Sequence, residues 1–342
     1  MDGGSLFDGG TEDASDSAVP GDAGPPPPAA VVFLHASPSL PTLRLCFLPQ
    51  DPTWPPFPSD NRMPASNYAG IAVGGAVWLA DAGYAAGGGV VYAVRAKPIA
   101  GTTTRCDELI CTGGSNCLMQ NADYWSLGTL SAGDFRPGAT TLVAVSGCLG
   151  VDDPLASVDR CGSTWDAATG NLHLDVVTVD GAGSNDAGAW SVQAAQLSPG
   201  LQAMQGDAGA TAVWFGPNVG APGSEGDAQA VAQLAREGAL GPAAPVPLVL
   251  PGGSAGLGEL GFAVSVTGLD AGSPGQLWMS LTEALELVDP SQDPTTYYAG
   301  GPFVVAVLGE PGAPHAFAAD TDGGGYDGTG LHVLVLPVGR TP

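Results

Sequence analysis

LVAVSG, residues 142–147, recurs as VVAVLG, residues 304–309, at an offset of 162 residues. Both copies are short apolar runs rich in β-branched residues, and both end in glycine. This pattern is typical of a β-strand followed by a turn. The recurrence of such a strand over a long spacing indicates a duplicated unit.

Two further matches lie in the same order along the chain. The dipeptide Leu-His at 172–173 recurs at 331–332, at an offset of 159. Ser-Pro at 37–38, in VVFLHASPSL, recurs at 198–199, in VQAAQLSPGL, at an offset of 161. Three ordered matches at nearly one spacing predict two tandem copies, residues 30–185 and residues 186–342.

The composition favours an all-β fold for both copies. The chain has 53 glycines and 31 prolines, which leave little room for long helices. Apolar residues still make up 44% of it, enough to build cores. Short apolar runs between turn residues therefore predict two β-sandwich domains.

One helix is predicted within the second copy, at DAQAVAQLAREG, residues 227–238. Asp227 is placed to cap its first turn, and Gly238 to end it. Val231, Leu234 and Ala235 would share one face. Because the first copy has no similar stretch, the helix is interpreted as an insertion.

Residues 1–29 are rich in Asp, Gly, Ser, Ala and Pro and show no core-forming pattern. We expect a disordered acidic tether that ends in the stiff segment Pro25–Pro28. Such tethers often follow the lipid-bearing cysteine of bacterial surface lipoproteins. No signal peptide is visible, so we expect that the export signal and any lipid anchor were trimmed from this chain.

The chain carries 34 acidic and 9 basic residues, a net charge of −25. So acidic a surface repels nucleic acid and anionic lipid, which excludes both as expected partners. No stretch is long and apolar enough to cross a membrane.

Six cysteines are present, without a Cys-x-x-Cys pair: Cys46, Cys106, Cys111, Cys117, Cys148 and Cys161. Their even number and spacing favour disulfides in an oxidising compartment over a zinc site. Cys148 and Cys161 flank one loop and are predicted to pair. The other four allow three pairings, among which the sequence does not choose.

A strand ending in His-Ala-Ser-Pro at 35–38, the strand TLRLCF and the segment SAGDFRPGATTLVAVSG together resemble a bacterial domain-of-unknown-function family. That family occurs, often in tandem, in secreted proteins and lipoproteins. The resemblance implies immunoglobulin-like or transthyretin-like β-sandwiches and an extracytoplasmic location, but no activity. It covers the first copy well and the second weakly.

His35 and Ser37 are the first candidates for catalysis. The second copy has Gln196 in place of His35 but keeps the Ser-Pro pair, so we interpret His35 as a strand-end residue with a local hydrogen bond. Ser254 lies in GGSAG, which fits the Gly-x-Ser-x-Gly motif of serine hydrolases. The motif requires a helix after the serine, whereas a glycine-rich stretch and a strand follow it here. A serine hydrolase built on Ser254 or His35 therefore ranks third among the hypotheses for function, after two non-catalytic ones.

DTDGGGYDGTG, residues 320–330, is a candidate calcium loop because Asp320, Asp322 and Asp327 supply hard oxygen ligands. Leu331 stands where an EF-hand has its bidentate glutamate, so an acidic hairpin loop is the favoured alternative.

His173 and His332 occupy matching positions after Asp166 and Asp327. We interpret these as turn and strand-end residues in preference to metal ligands.

Trp54 and Phe57, in DPTWPPFP, form a rigid apolar segment that either binds a sugar or peptide or folds back over the sheet. The first hypothesis is thus a non-enzymatic surface or secreted bacterial protein, for display, binding, adhesion or envelope structure, with an unidentified glycan or protein ligand and no cofactor. The second is a calcium-assisted module that binds carbohydrate or another ligand.

Overall fold

The computed structural model describes residues 29–40, 42–53, 56, 70–79, 87–96, 99, 101–111, 114–150, 156–180, 189–205, 209–217, 229–234, 238, 240–241, 244–247, 260–266, 276–281, 284, 302–311 and 330–338. The predicted tether, up to residue 28, lies outside these residues. Below, "first half" means the described residues up to 180, and "second half" those from 189 onward.

Sixteen strands and a few short helices are found in these residues. The first half contains β1 Ala30–His35, β2 Thr42–Pro49, β3 Ile71–Ala72, β4 Ala76–Trp78, β5 Gly89–Arg95, helix α1 Cys106–Leu109, β6 Tyr124–Leu130, β7 Ala139–Ser146, helix α2 Val158–Cys161 and β8 His173–Asp180. The second half contains β9 Ala189–Gln196, helix α3 Pro199–Gln205, β10 Thr211–Pro217, β11 Gln229–Leu234, β12 Ala244–Pro247, β13 Leu260–Val266, β14 Gln276–Ser280, β15 Phe303–Leu308 and β16 His332–Pro337. The prediction of an all-β protein is confirmed.

The strands form four sheets of four strands each. Sheet A has the order β4-β1-β7-β8 and sheet B the order β3-β2-β5-β6. Sheet C has the order β12-β9-β15-β16 and sheet D the order β11-β10-β13-β14. β1 pairs in parallel with β7, and β9 pairs in parallel with β15. The same order and the same parallel pair thus recur in both halves.

Apolar side chains join the sheets in the order B–A–C–D. One cluster contains Phe33 and Val143 of sheet A together with Leu45 of sheet B. A second cluster packs sheet A against sheet C, and a third packs sheet C against sheet D. Sheets A and C therefore form the two middle layers of a four-layered stack.

This stacking explains the continuous apolar runs of β7 and β15. All eight residues of β7 and all six of β15 are buried. Val143 and Val145 face sheet B, whereas Leu142 and Ala144 face sheet C. Because side chains alternate between the two faces of a strand, the middle of a strand covered on both faces is apolar on both, as residues 142–145 of β7 are; Thr140, Thr141 and Ser146 are buried nearer its ends.

The helix predicted for residues 227–238 is wrong, because Gln229–Leu234 is strand β11. β11 pairs with β10, and a bulge leaves Val231 as an extra residue opposite the step from Val213 to Trp214. A bulge interrupts strict alternation, so Val231 and Leu234, three residues apart, both join the core between sheets C and D. Sheet pairing here overrides the helical propensity of Ala, Gln and Leu. β11 is also not an extra element, because it holds the place in sheet D that β3 holds in sheet B.

Candidate functional site

His35 lies at the end of β1, buried in the first half. Its ring nitrogen Nε2 donates to the carbonyl oxygen of Leu40 at 2.6 Å, which confirms the predicted local hydrogen bond. Its Nδ1 atom has no partner among the described residues, and neither has the Oγ atom of Ser37. The two side chains predicted as a candidate pair thus make no hydrogen bond with each other.

Burial controls the charge of His35. Desolvation lowers its pKa to about 3, although the hydrogen bond to Leu40 acts in the opposite direction. The ring is therefore neutral at physiological pH. A neutral ring has one N–H group, and His35 donates it to the Leu40 carbonyl.

Gln196 holds the corresponding position in the second half. His35 pairs with Val145 across the parallel strands, and Gln196 pairs with Val307 in the same register. The Gln196 side chain donates to the Ser198 carbonyl at 3.0 Å and accepts from the Ser198 amide at 2.6 Å. Both halves therefore place a buried polar side chain here, and both direct it to nearby backbone.

His173 and His332 occupy matching positions as the first residues of β8 and β16. Each ring contacts, through Nδ1, the carbonyl oxygen two residues earlier, at 2.6 Å to Asn171 and 2.7 Å to Gly330.

Asp166 accepts hydrogen bonds from Ala168 and Thr169, which hold its pKa below the ordinary value and form the predicted turn. The Nε2 atom of His173 lies 3.5 Å from the Asp175 carboxylate. No group of three or more His, Cys, Asp or Glu in the described part of the chain is arranged to hold a metal ion.

All six cysteines are paired, and the predicted pair of Cys148 with Cys161 is confirmed. The structure also chooses among the pairings that the sequence left open: Cys46 pairs with Cys106, and Cys111 with Cys117. The first of these bonds fastens a segment made of the described residues 99, 101–111 and 114–123, here called the cap, to β2. Beneath the cap a separate apolar cluster includes Val94, Leu109 and Tyr124.

Polar contacts hold the cap in shape. Arg105 makes two hydrogen bonds of 2.9 Å to the Asp107 carboxylate, which keep the pKa of Asp107 below its ordinary value. The Leu118 amide donates to the Leu109 carbonyl, and the Met119 amide to the Asp123 carboxylate. The Met119 side chain is 64% exposed, the most exposed of the large apolar residues described.

The other predicted site residues lie outside the described residues. They are the candidate calcium ligands Asp320, Asp322 and Asp327, the aromatic pair Trp54 and Phe57, and Ser254. Their proposed roles stay predictions.

Sequence reasoning missed the contacts between the halves. Arg160 of α2 forms a 2.7 Å ion pair with Glu310, and Nε2 of His332 lies 3.3 Å from the carbonyl oxygen of Gly74. The sequence offers one signal for the ion pair. Because basic residues are scarce in so acidic a chain, each arginine is expected to lie near a carboxylate. Nothing in the sequence indicated the partner of His332.

Among the residues described, no helix is both long and apolar enough to span a membrane. A scan against protein-family models and a search of curated proteins both find nothing that matches this chain. The resemblance to the domain-of-unknown-function family therefore stays a prediction.

Proposed function

We propose that this chain is a non-enzymatic extracytoplasmic protein that displays a binding or adhesive surface, either secreted or held at the outer surface of a bacterium as a lipoprotein. The observation that carries the proposal is the pairing of all six cysteines in three disulfides. Disulfides persist in oxidising compartments and are rare in the bacterial cytoplasm.

The strand-end residues support a non-enzymatic role. Nucleophilic catalysis needs a nucleophile within hydrogen-bond reach of a base, and a third group to orient that base. His35 uses its N–H group on the Leu40 carbonyl, and the side chain of Gln196 is engaged with Ser198. These contacts favour a structural role for both positions.

The shared strand order supports two copies of one immunoglobulin-like or transthyretin-like domain. Each half has a parallel pair in its inner sheet, and each encloses its own apolar core. Because sheets A and C pack on each other, sheets B and D form the outer layers. In the first half the outer layer carries the cap, which is our proposed display region.

Location is tested with the protein isolated from its own cells. Intact and permeabilised cells are probed with antibody, and free thiols are trapped before lysis and counted. We expect the chain on intact cells or in the culture medium, with no free thiols. A chain that is found only after permeabilisation, with its six cysteines reduced, would refute the proposal.

Binding is tested by applying the oxidised chain to arrays of glycans and extracellular proteins, in calcium and in chelator. The reduced and alkylated chain is the control for folding. Capture of one ligand class by the oxidised chain in both conditions supports display. A thermal midpoint that rises saturably with calcium would favour the calcium-assisted module instead. A hydrolytic activity that the unchanged chain shows and Ser254→Ala lacks would favour the serine hydrolase.

A further inference from the structure

The three disulfides differ in their access to solvent. Cys46, Cys106, Cys148 and Cys161 are each 0% exposed. Cys111 and Cys117 are only partly buried, and the loop between them exposes Gly114, Ser115 and Asn116. A dissolved thiolate can thus reach one disulfide in the native fold, whereas the other two are shielded.

The backbone of the cap also distinguishes the two sulfur atoms of this disulfide. The amide of Gly114 donates to Sγ of Cys117 at 3.2 Å, and no such donor to Cys111 is found among the described residues. A Cβ atom at position 114 would lie 2.9 Å from the same sulfur, so glycine is needed for this approach. A hydrogen bond to sulfur is stronger when the sulfur carries a negative charge. The donor therefore stabilises Cys117 as the departing thiolate.

We infer that the Cys111–Cys117 disulfide is a thiol–disulfide exchange site that takes a low-molecular-weight thiol or a cysteine-bearing peptide. The incoming thiolate attacks Sγ of Cys111 and forms a mixed disulfide. The bond to Cys117 breaks, and its electron pair leaves on Sγ of Cys117, which is protonated by water. A second external thiolate then attacks the sulfur of the bound thiol, the bond to Sγ of Cys111 breaks, and its electron pair leaves on Cys111, which is protonated by water. Two external thiols are thereby oxidised to a disulfide while the Cys111–Cys117 pair is reduced to two thiols.

The fold is built to survive this exchange. Cys111 and Cys117 are 6 residues apart, compared with 60 for Cys46 and Cys106. Opening the shortest loop releases the least chain entropy in the unfolded state. The cap stays fastened to β2 through the buried Cys46–Cys106 bond.

The test treats the full oxidised chain with reduced glutathione in native buffer, traps thiols with N-ethylmaleimide and maps the labelled peptides by mass. We expect Cys111 and Cys117 to react more than about tenfold faster than the other four, with glutathione found on Cys111. Circular dichroism should stay native throughout. Labelling of all six cysteines together, or of none before unfolding, would overturn the inference.

A matched pair of variants tests which sulfur leaves. Cys111→Ser leaves only the thiol of Cys117, and Cys117→Ser only that of Cys111. With iodoacetamide at neutral pH, the Cys117 thiol should react on the order of tenfold faster, because of the Gly114 donor. Equal or reversed rates would refute the leaving-group assignment. The mapping on the unchanged chain decides the site itself, even if a variant does not fold.

Discussion

The Nε2 atom of His332 lies 3.3 Å from the carbonyl oxygen of Gly74, so the first residue of β16 in the second half contacts the turn between β3 and β4 in the first half. The ring is fully buried. Gly74 has a φ of +79°, and a Cβ atom at this position would overlap the His332 ring. The turn thus depends on glycine for two separate reasons, its backbone conformation and its contact with the other half.

We predict that Gly74→Ala lowers the free energy of unfolding by roughly 3 kcal/mol, because strain in the left-handed region adds to overpacking of a buried ring. Gly101→Ala is the matched control, with a φ of +81° and no atom of the described residues within 4 Å of the place that its new methyl group would take. The control should lose only about 1 kcal/mol, from backbone strain alone. Urea denaturation measures the free energy of unfolding of both variants. Equal losses would show that the close approach of Gly74 to His332 adds nothing to the cost of the substitution.

A second prediction concerns the ion pair of Arg160 with Glu310. The two side chains are 13% and 20% exposed, whereas those of the pair Arg136 and Asp180 are 53% and 60% exposed. We expect Glu310→Gln to lower the free energy of unfolding by about 1–3 kcal/mol, and Asp180→Asn by less than about 1 kcal/mol.

Each of these two variants removes one negative charge from a chain of net charge −25, so the change in overall repulsion is the same for both. Urea denaturation at one fixed ionic strength gives the comparison. A loss for Glu310→Gln no larger than that for Asp180→Asn would mean that the ion pair does not stabilise the junction of the halves.

The third prediction ranks the disulfides. The chain-entropy relation predicts contributions of about 4, 3 and 2 kcal/mol for bonds spanning 60, 13 and 6 residues. Replacing each cysteine pair by alanine should therefore be most damaging for Cys46 with Cys106 and least damaging for Cys111 with Cys117. Thermal unfolding of the three double variants checks the order. A largest loss on removal of the 111–117 bond would contradict it.

The fourth prediction concerns pH. The pKa of His35 falls to about 3 in the folded chain from its ordinary 6.5, so between these values the unfolded chain binds the extra proton. The stability contributed by the neutral ring is therefore complete above pH 6.5 and is lost as the pH falls toward 3. From pH 6.5 to 5 the loss should be roughly 1.5 kcal/mol.

His35→Gln is the matched variant, because the second half carries Gln196 at the same register. It should remove this part of the pH dependence while the rest of the profile stays. Asp107 and Asp166 have lowered pKa values in the folded chain, so the stability that they contribute is lost as the pH falls below 3.8. That range lies outside the measured window of pH 5 to 6.5. Identical slopes for the two proteins between pH 5 and 6.5 would refute the prediction.

Much of the fold could be predicted because the signals were local. Continuous or alternating runs of Val, Ala and Leu bounded by glycine became strands, and Ser37-Pro38 ended β1 at His35 as expected. Cys148 and Cys161 paired across one short loop. For the candidate site, the local hydrogen bond of His35 and the turn at Asp166 could be predicted for the same reason.

The sequence by itself therefore determined the all-β class, the recurrence of similar strands in the same order along the two halves, and the acidic, disulfide-bonded character of the chain. Only the tertiary structure decided that β11 is a strand, because pairing with β10 and a bulge at Val231 outweigh local helical propensity. It also decided which distant cysteines pair, and that β7 and β15 are buried on both faces. Those outcomes depend on which sheets meet, and contacts between residues far apart along the chain leave no periodicity in either segment alone.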